Sequence, residues 1–467
     1  MRSAVFVLLL MLAPGALHAL PLYSARAGRT CDNCHLTPNE WVNPKLAERK
    51  CTLSCQACHV DPSGGGMRNA SGRFYQRATL PMIATSPRPT QDWDRDFLGL
   101  VGRRDRATTY NDSLPQGPAN AAERSAARFA PHDLWAYGTP LGGSSDYALF
   151  QGRYGALRAD PLFRIGWDLR LATYVARSTL VFPMQADVNA VLHPVEHLSV
   201  LANVGARGRT GGFRDTREDP HTPYFREMYV LLHEAPMLAY VKAGRFVPAF
   251  GLRLDDHTVQ TRRAFELDGS LPETRVTGVE IGLAPNYPYA SLSWFAGGSR
   301  TEAPASWDVF DTPEGSGGAL NLGWRAEGWS LGGSVLARRR PVEQGGDATS
   351  GAVFAVFNPW YYWRGLPITL QAEVDYGTLT RLSGRETHQL GFYQEISWLA
   401  GNGVNIVVAQ DWIDPDTQVL DDHAWRLSGG VQFTPYPGLA LDARGRALVP
   451  AGEASGGDFL LQIRLYN

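Results

Sequence analysis

From about residue 145 to the end of the chain, apolar and polar side chains alternate with a period of two, and no helical period interrupts them. That period puts successive side chains on opposite faces of a strand, so a chain written this way builds sheet. Between Phe163 and Leu171, the residues Phe163, Ile165, Trp167, Leu169 and Leu171 share one face; Arg164, Gly166, Asp168 and Arg170 share the other. Leu441, Ala443 and Gly445 oppose Asp442, Arg444 and Arg446, and Ala372, Val374 and Tyr376 oppose Gln371, Glu373 and Asp375. The last run sets Phe459, Leu461, Ile463 and Leu465 against Gln462 and Arg464. A soluble sandwich alternates in the same way. Repetition over more than three hundred residues points instead to an all-β, closed, transmembrane barrel of the outer-membrane type.

The connections support this. Short turns are expected at 158–161, 193–196, 233–236, 285–288, 326–328, 364–367, 400–403 and 435–438, with longer polar loops around 208–222, 248–271, 299–315 and 339–350. Short turns at one end and long loops at the other mark the periplasmic and outer faces of such barrels. Aromatics near strand ends, among them Trp294, Trp324, Trp329, Trp360, Trp363, Trp398 and Trp412, fit interfacial girdles. Counting from Tyr147 gives seventeen strands, and parity then requires one more around Leu134 to Pro140. The expectation is eighteen strands, or sixteen if one weak pair is miscounted. Arg153, Arg164, Arg170, Arg426, Arg444, Arg446 and Arg464 are expected to line the lumen as wall residues paired with Asp168, Glu373, Asp375 and Asp442.

The amino-terminal part reads differently. Arg2, the apolar run Ala4 to Leu12 and the small residue at Ala19 read as a secretory signal over 1–19, too short to span a bilayer. No window reaches eighteen consecutive apolar residues, so no transmembrane helix is expected. With 44 Lys and Arg against 46 Asp and Glu, the charge argues against a broad nucleic-acid surface. Residues 86–130, rich in Pro, Arg, Asp and Ala, read as a linker or plug, and 131–467 as the barrel.

All five cysteines fall between positions 31 and 58. Two pentapeptides, Cys31-Asp32-Asn33-Cys34-His35 and Cys55-Gln56-Ala57-Cys58-His59, have the C-x-x-C-H pattern of covalent haem attachment. The two thiols add across the vinyl groups of a haem, and the adjacent histidine is then held under the iron. The tether lets a short peptide hold a large apolar cofactor, which suits 20–85, a segment with few apolar side chains for a core. The reading is two covalently bound c-type haems, with Cys31, Cys34, Cys55 and Cys58 as attachment points and His35 and His59 as iron ligands. Met67 and Met82, with His132 a third possibility, are candidate sixth ligands. The two cysteine pairs also fit a four-cysteine zinc site, although zinc needs no histidine directly after each pair. Two disulfides within C-x-x-C would close tiny loops and stabilise little. Cys51 has the bland reading of a free thiol beside the second motif. Asp255, Asp256 and His257 offer a weak metal-binding signal in a long loop.

A haem segment followed by a barrel resembles the fused cytochrome–porin proteins of bacterial outer membranes. The resemblance covers the whole architecture; its sharp motif is the C-x-x-C-H with the Pro/Gly-containing stretch that follows, here Cys55 to Gly72. It implies a haem segment within the lumen or at its periplasmic mouth, and transfer of electrons between an extracellular metal ion or mineral, ferrous iron in the best-known members, and a periplasmic carrier such as a soluble cytochrome. Outer-membrane lipid is the other implied partner. Those members carry one attachment motif and this chain carries two, so donor and direction do not transfer. A diffusion porin with a periplasmic cytochrome docking domain is the competing expectation.

Overall fold

The structure is a computed structural model that describes residues 59–64, 67, 68 and 163–466, less parts of the connections between strands. The first eight strands are β1 (Phe163–Val175), β2 (Thr179–Val195), β3 (Leu198–Ala206), β4 (Tyr224–Ala235), β5 (Ala239–Phe246), β6 (Val276–Leu283), β7 (Pro288–Phe295) and β8 (Ser316–Arg325). The second eight are β9 (Trp329–Arg339), β10 (Ala348–Phe357), β11 (Ile368–Thr380), β12 (Glu386–Gly401), β13 (Val404–Asp414), β14 (Ala424–Tyr436), β15 (Leu439–Pro450) and β16 (Gly456–Tyr466). Every strand pairs antiparallel with its sequence neighbours, and β16 pairs with β1 from Asp168↔Tyr466 to Val175↔Phe459.

The barrel therefore closes with sixteen strands, and the expected eighteen is corrected to the smaller number. Closure comes from β16 meeting the strand that begins at Phe163, which leaves no place in the sheet for additional strands near 134–140 or 147. Those stretches, with the turn expected at 158–161, the linker and the signal segment, lie outside the described residues. Both the start of β1 and the end of β16 fall at the short-turn end, as parity demands.

Two faces result from the alternation. Val188, Val230, Val241, Ile281, Leu292, Leu322, Leu331, Val353, Val374 and Val408 point outward and are exposed. Their inward neighbours Asp187, Asn189, Lys242, Glu280, Ser293, Asn321, Ser334, Glu373 and Asp411 are buried. A sheet with apolar residues outside and charges inside is stable only with lipid around it, and closure gives every spanning amide a partner. Trp294, Trp324, Trp363 and Trp398 stand exposed on this outer surface, as interfacial aromatics do. This is a transmembrane barrel of the outer-membrane type. Among the described residues no helix is long and apolar enough to cross a membrane; the two helices, α1 (Gln260–Ala264) and α2 (Pro359–Tyr362), are single turns.

Ion pairs inside the lumen stitch the closing seam. Asp168 on β1 accepts from Arg464 on β16 at 2.7 and 2.9 Å and from Arg170 at 3.0 and 3.3 Å. Arg444 is bidentate to Asp442, Arg446 meets Asp458, and Arg426 meets Asp411. The expected arginine wall is thus present at Arg170, Arg426, Arg444, Arg446 and Arg464, with Asp411 and Asp458 as partners that sequence reading did not single out; Arg153 and the Arg164 side chain lie outside the described residues. Replacing Asp168 leaves two guanidinium groups facing each other across the seam. Asp168→Ala should lower the unfolding free energy of the barrel in detergent by about 2–4 kcal/mol. A shift of the urea midpoint read by gel mobility checks this, and Asp458→Ala, which frees one arginine, should cost less.

Candidate cofactor site in the barrel lumen

The residues that follow Cys58 lie inside the barrel. His59, Val60, Asp61 and Met67 are each buried. They form a tight hairpin: His59 bridges to Arg68, Val60 N–H donates to the Met67 carbonyl at 3.0 Å, and Gly64 N–H donates to the Asp61 carbonyl at 2.9 Å. Gly64 sits at φ +88°, a conformation that glycine adopts without steric cost. The Asp61 carboxylate accepts from Ser63 N–H at 2.8 Å and from Ser63 Oγ at 2.5 Å, so the turn is locked by its own side chains.

Two contacts seat the hairpin. Val60 and Met67 join an apolar cluster on the lumen wall with Val191, Leu201, Tyr229, Leu231, Tyr240 and Phe246. Asp61 pairs with Lys242 Nζ at 3.4 Å, and the same ammonium lies 2.9 Å from Glu280. Lys242 and Glu280 are directly opposite on β5 and β6, and both are 0% exposed. Glu280 also accepts from Tyr240 Oη at 3.0 Å and Ser293 Oγ at 2.7 Å, while Lys242 Nζ sits over the rings of Phe246 at 4.5 Å and Tyr229 at 5.5 Å. A lysine stripped of water is tolerable only with its charge met on several sides, and here two carboxylates and two ring faces meet it. Arg68, at the hairpin's other end, lies 5.0 Å over the Tyr466 ring on β16.

A second segment also folds inward. After β5 the chain turns into the lumen, where Phe250, Leu252, Val259, Thr261 and Phe265 are buried. Gly251 N–H donates to Ser334 Oγ on β9 at 2.8 Å, the Leu252 amide donates to Glu373 on β11, and Arg426 on β14 donates to the Thr258 carbonyl. Leu254 packs between Tyr393 and Ala409 on one side and Phe354 and Val356 on the other. The lumen is therefore crossed by two inserted pieces. Near them, Arg170, Glu395, Asp442, Arg444 and Arg464 line a small polar cavity of about 50 Å³.

Of the residues singled out by sequence, the structure describes His59 and Met67, three backbone steps or fewer from the wall contacts of the hairpin. Cys31, Cys34, His35, Cys51, Cys55, Cys58, Met82, His132, Asp255, Asp256 and His257 lie outside the described residues. Sequence reading passed over Lys242, Glu280 and Tyr240, because a charged residue at a lumen position looks like any other wet-wall residue. Their signal is the register: opposite charges at directly paired positions, visible once β5 and β6 are aligned. The apolar wall of Val191, Leu201, Tyr229 and Leu231 is covered by Val60 and Met67, and a haem tethered at Cys55 and Cys58 would find in the adjoining His59 the described residue able to ligate its iron.

The fold and site define a transmembrane β-barrel with an amino-terminal peptide folded into its lumen. No protein-family model matches the sequence, and no curated protein matches it. Among solved structures, the chain is similar to a loop-deletion mutant of OmpT, an outer membrane protein of Vibrio cholerae, with a TM-score of 0.48 and 11% identity, over 65% of this chain and 99% of that one. It is also similar to an anion-selective porin from Comamonas acidovorans (TM-score 0.46, 13% identity, 65% and 99% covered) and to the outer membrane channel DcaP of Acinetobacter baumannii (0.44, 10%, 65% and 97%).

The two carboxylates around Lys242 have separable roles. Asp61→Asn keeps the Lys242–Glu280 pair and should leave barrel stability nearly unchanged. It should loosen the hairpin by about 1–3 kcal/mol, roughly a five- to hundredfold faster amide exchange at Val60 and Gly64. Lys242→Met strands Glu280 in the wall and should weaken the whole barrel by about 3–5 kcal/mol. Hydrogen-exchange mass spectrometry of the 59–68 peptide, beside urea unfolding, reads both.

Proposed function

We propose that this chain conducts electrons across the outer membrane through its lumen, using two covalently bound c-type haems at Cys31–His35 and Cys55–His59. The partners on the two sides are an extracellular metal ion or mineral, with ferrous iron the expectation from the fused cytochrome–porin resemblance, and a periplasmic carrier such as a soluble cytochrome. The observation that carries the reading is the burial of His59, the last residue of the second motif, inside the barrel wall. A periplasmic docking domain would have no reason to seat that histidine among lumen side chains.

Each residue has a part in this. Cys31, Cys34, Cys55 and Cys58 tether, and His35 and His59 ligate iron. Bound haem supplies a reversible one-electron couple whose potential the axial ligands and surroundings set. Asp61, Lys242 and Glu280 hold the second motif's peptide at a fixed depth. The barrel wall excludes lipid across an apolar belt roughly 25 Å tall, which bare hydrocarbon would make a poor electron path. The segment running from Phe250 to Phe265 narrows the remaining lumen.

The second reading is a diffusion porin carrying a cytochrome segment. The paired arginines and carboxylates of β1 and β14–β16, around a polar cavity, favour it, since such a wall stays wet. Spectroscopy and conductance separate the two. The conduit requires two covalent haems per chain by pyridine haemochrome and one in each of Cys34→Ala and Cys58→Ala. It also requires oxidation of the haems by a membrane-impermeant acceptor in intact cells, lost in both variants. An open channel in planar bilayers, with haems that the impermeant acceptor cannot reach, supports the porin. Absence of covalent haem removes the conduit.

A further inference from the structure

The lipid-facing side of β12–β16 carries a hollow of about 800 Å³. Its floor is Gly429 on β14 and Gly445 on β15, directly paired and both outward, with Ala447 and Gly457 beside them. Val408, Leu427 and Phe459 rise around it, exposed to lipid. The chain itself does not require glycine here. Among the described residues, a Cβ added at Gly429 would meet no atom within 4 Å, and one at Gly445 only the Gly429 carbonyl at 4.0 Å. Glycine weakens a strand interior, and it marks places where another backbone or a ligand comes close.

A polar knob stands level with the hollow. Gln394 and Gln410, directly paired on β12 and β13, face outward, and Gln410 Nε2 donates to Gln394 Oε1 at 3.3 Å. Among the described residues that bond is the only one either carboxamide makes, which leaves the Gln394 N–H groups and the Gln410 carbonyl unmet. Hydrocarbon offers them nothing. Their depth follows from the register. In chain order the hydrogen-bonded row climbs from Leu192 on β2, near the short-turn end, to His388 on β12, near the long-loop end. Each strand therefore gains about 3 Å of height at a tilt of roughly 35–45°. Gln410 lies a strand and a half before the glycine pair and two residues nearer the outer end. The two offsets, each about 5 Å, cancel, which sets Gln410 at the depth of Gly429 and Gly445 and about 10 Å along the wall.

We infer that this face is the contact between two copies of the chain, with Gln410 of each copy seated in the glycine hollow of the other. A symmetric pair of barrels inserted in the same sense is related by a two-fold axis along the bilayer normal, which preserves depth. A knob and a hollow at one depth on one face are what such an axis interchanges. Lipid tails are as apolar as protein, so the contact is driven by close backbone approach and by hydrogen bonds in hydrocarbon. The strand carbonyls at Gly429 and Gly445 are not covered by side chains of their own and keep a second lone pair, which the carboxamide of the other copy takes. A lipid tail offers that carboxamide no partner, and a second copy does. The inference stands apart from the haem reading.

The test keeps the full chain in outer membranes. A photo-crosslinking benzoylphenylalanine placed at Gln410 should give a band of twice the chain mass, with the crosslinked peptide mapping to 427–446. The same group placed at Val241, exposed on β5 across the barrel, should give no such band. Gly445→Trp puts a ring into the hollow at a position whose Cβ has room in its own chain. It should abolish the doubled band while heat-modifiable gel mobility stays unchanged. Gln410→Leu should weaken the dimer in mild detergent by roughly three- to thirtyfold in dissociation constant, read by sedimentation equilibrium. A doubled species that survives Gly445→Trp overturns the inference, as does a ladder that reaches three copies. A crosslink from position 410 that reaches only lipid, or only another protein, overturns it as well.

Discussion

A lysine with no access to water, shared between a carboxylate of the barrel wall and a carboxylate of the amino-terminal peptide, holds this architecture together. Lys242 needs Glu280 to be tolerable in the wall, and Asp61 reaches in to take part of the same charge. Asp61, Lys242 and Glu280 are buried together, so seating the peptide adds one further desolvated carboxylate to the wall pair. The hairpin's own hydrogen bonds from Ser63 prepay much of that ordering. Everything proposed about cofactors depends on this anchor, since it sets where the residue after Cys58 sits.

The barrel and its contents have complementary jobs. Lipid outside forces the sheet to close, and closure creates a polar interior wide enough to admit two inserted segments. One, from Phe250 to Phe265, ties into β9, β11 and β14 and stiffens the far wall. The other, from His59 to Arg68, lies against β2–β6 and touches β16 through Tyr466. The lumen wall of β1 and β14–β16 is lined by fixed ion pairs, so it presents oriented guanidinium and carboxylate groups instead of hydrocarbon.

Much of the fold was legible in the sequence. The faces of Phe163–Leu171, Gln371–Tyr376, Leu439–Ala447 and Phe459–Leu465 fall as alternation dictated, because one buried face makes register strict. The strand count was legible only as eighteen or sixteen, since the closure that decides it is a contact between residues nearly three hundred positions apart, such as Asp168 and Tyr466, and no local pattern announces it. His193 and His233 were read as parts of turns because Pro194 and Pro236 follow closely. In the structure β2 continues to Val195 and β4 to Ala235, so both rings point into the lumen. The hydrogen bonds that join His193 to Ser199 and Ser199 to His233 run across three strands, so no local pattern shows them either. The two C-x-x-C-H pentapeptides, by contrast, are wholly local patterns, and the haem proposal rests on them alone.

The central claim is that electrons cross the bilayer inside this chain, and sealed vesicles test it most directly. Proteoliposomes would be loaded with an oxidised soluble cytochrome and a self-quenched dye, then given an impermeant ferrous chelate outside. The account predicts reduction of the enclosed cytochrome with the dye retained, in proportion to the haem-loaded barrel inserted. Two covalent haems per chain with no internal reduction, or reduction that occurs only as the dye escapes, would contradict it.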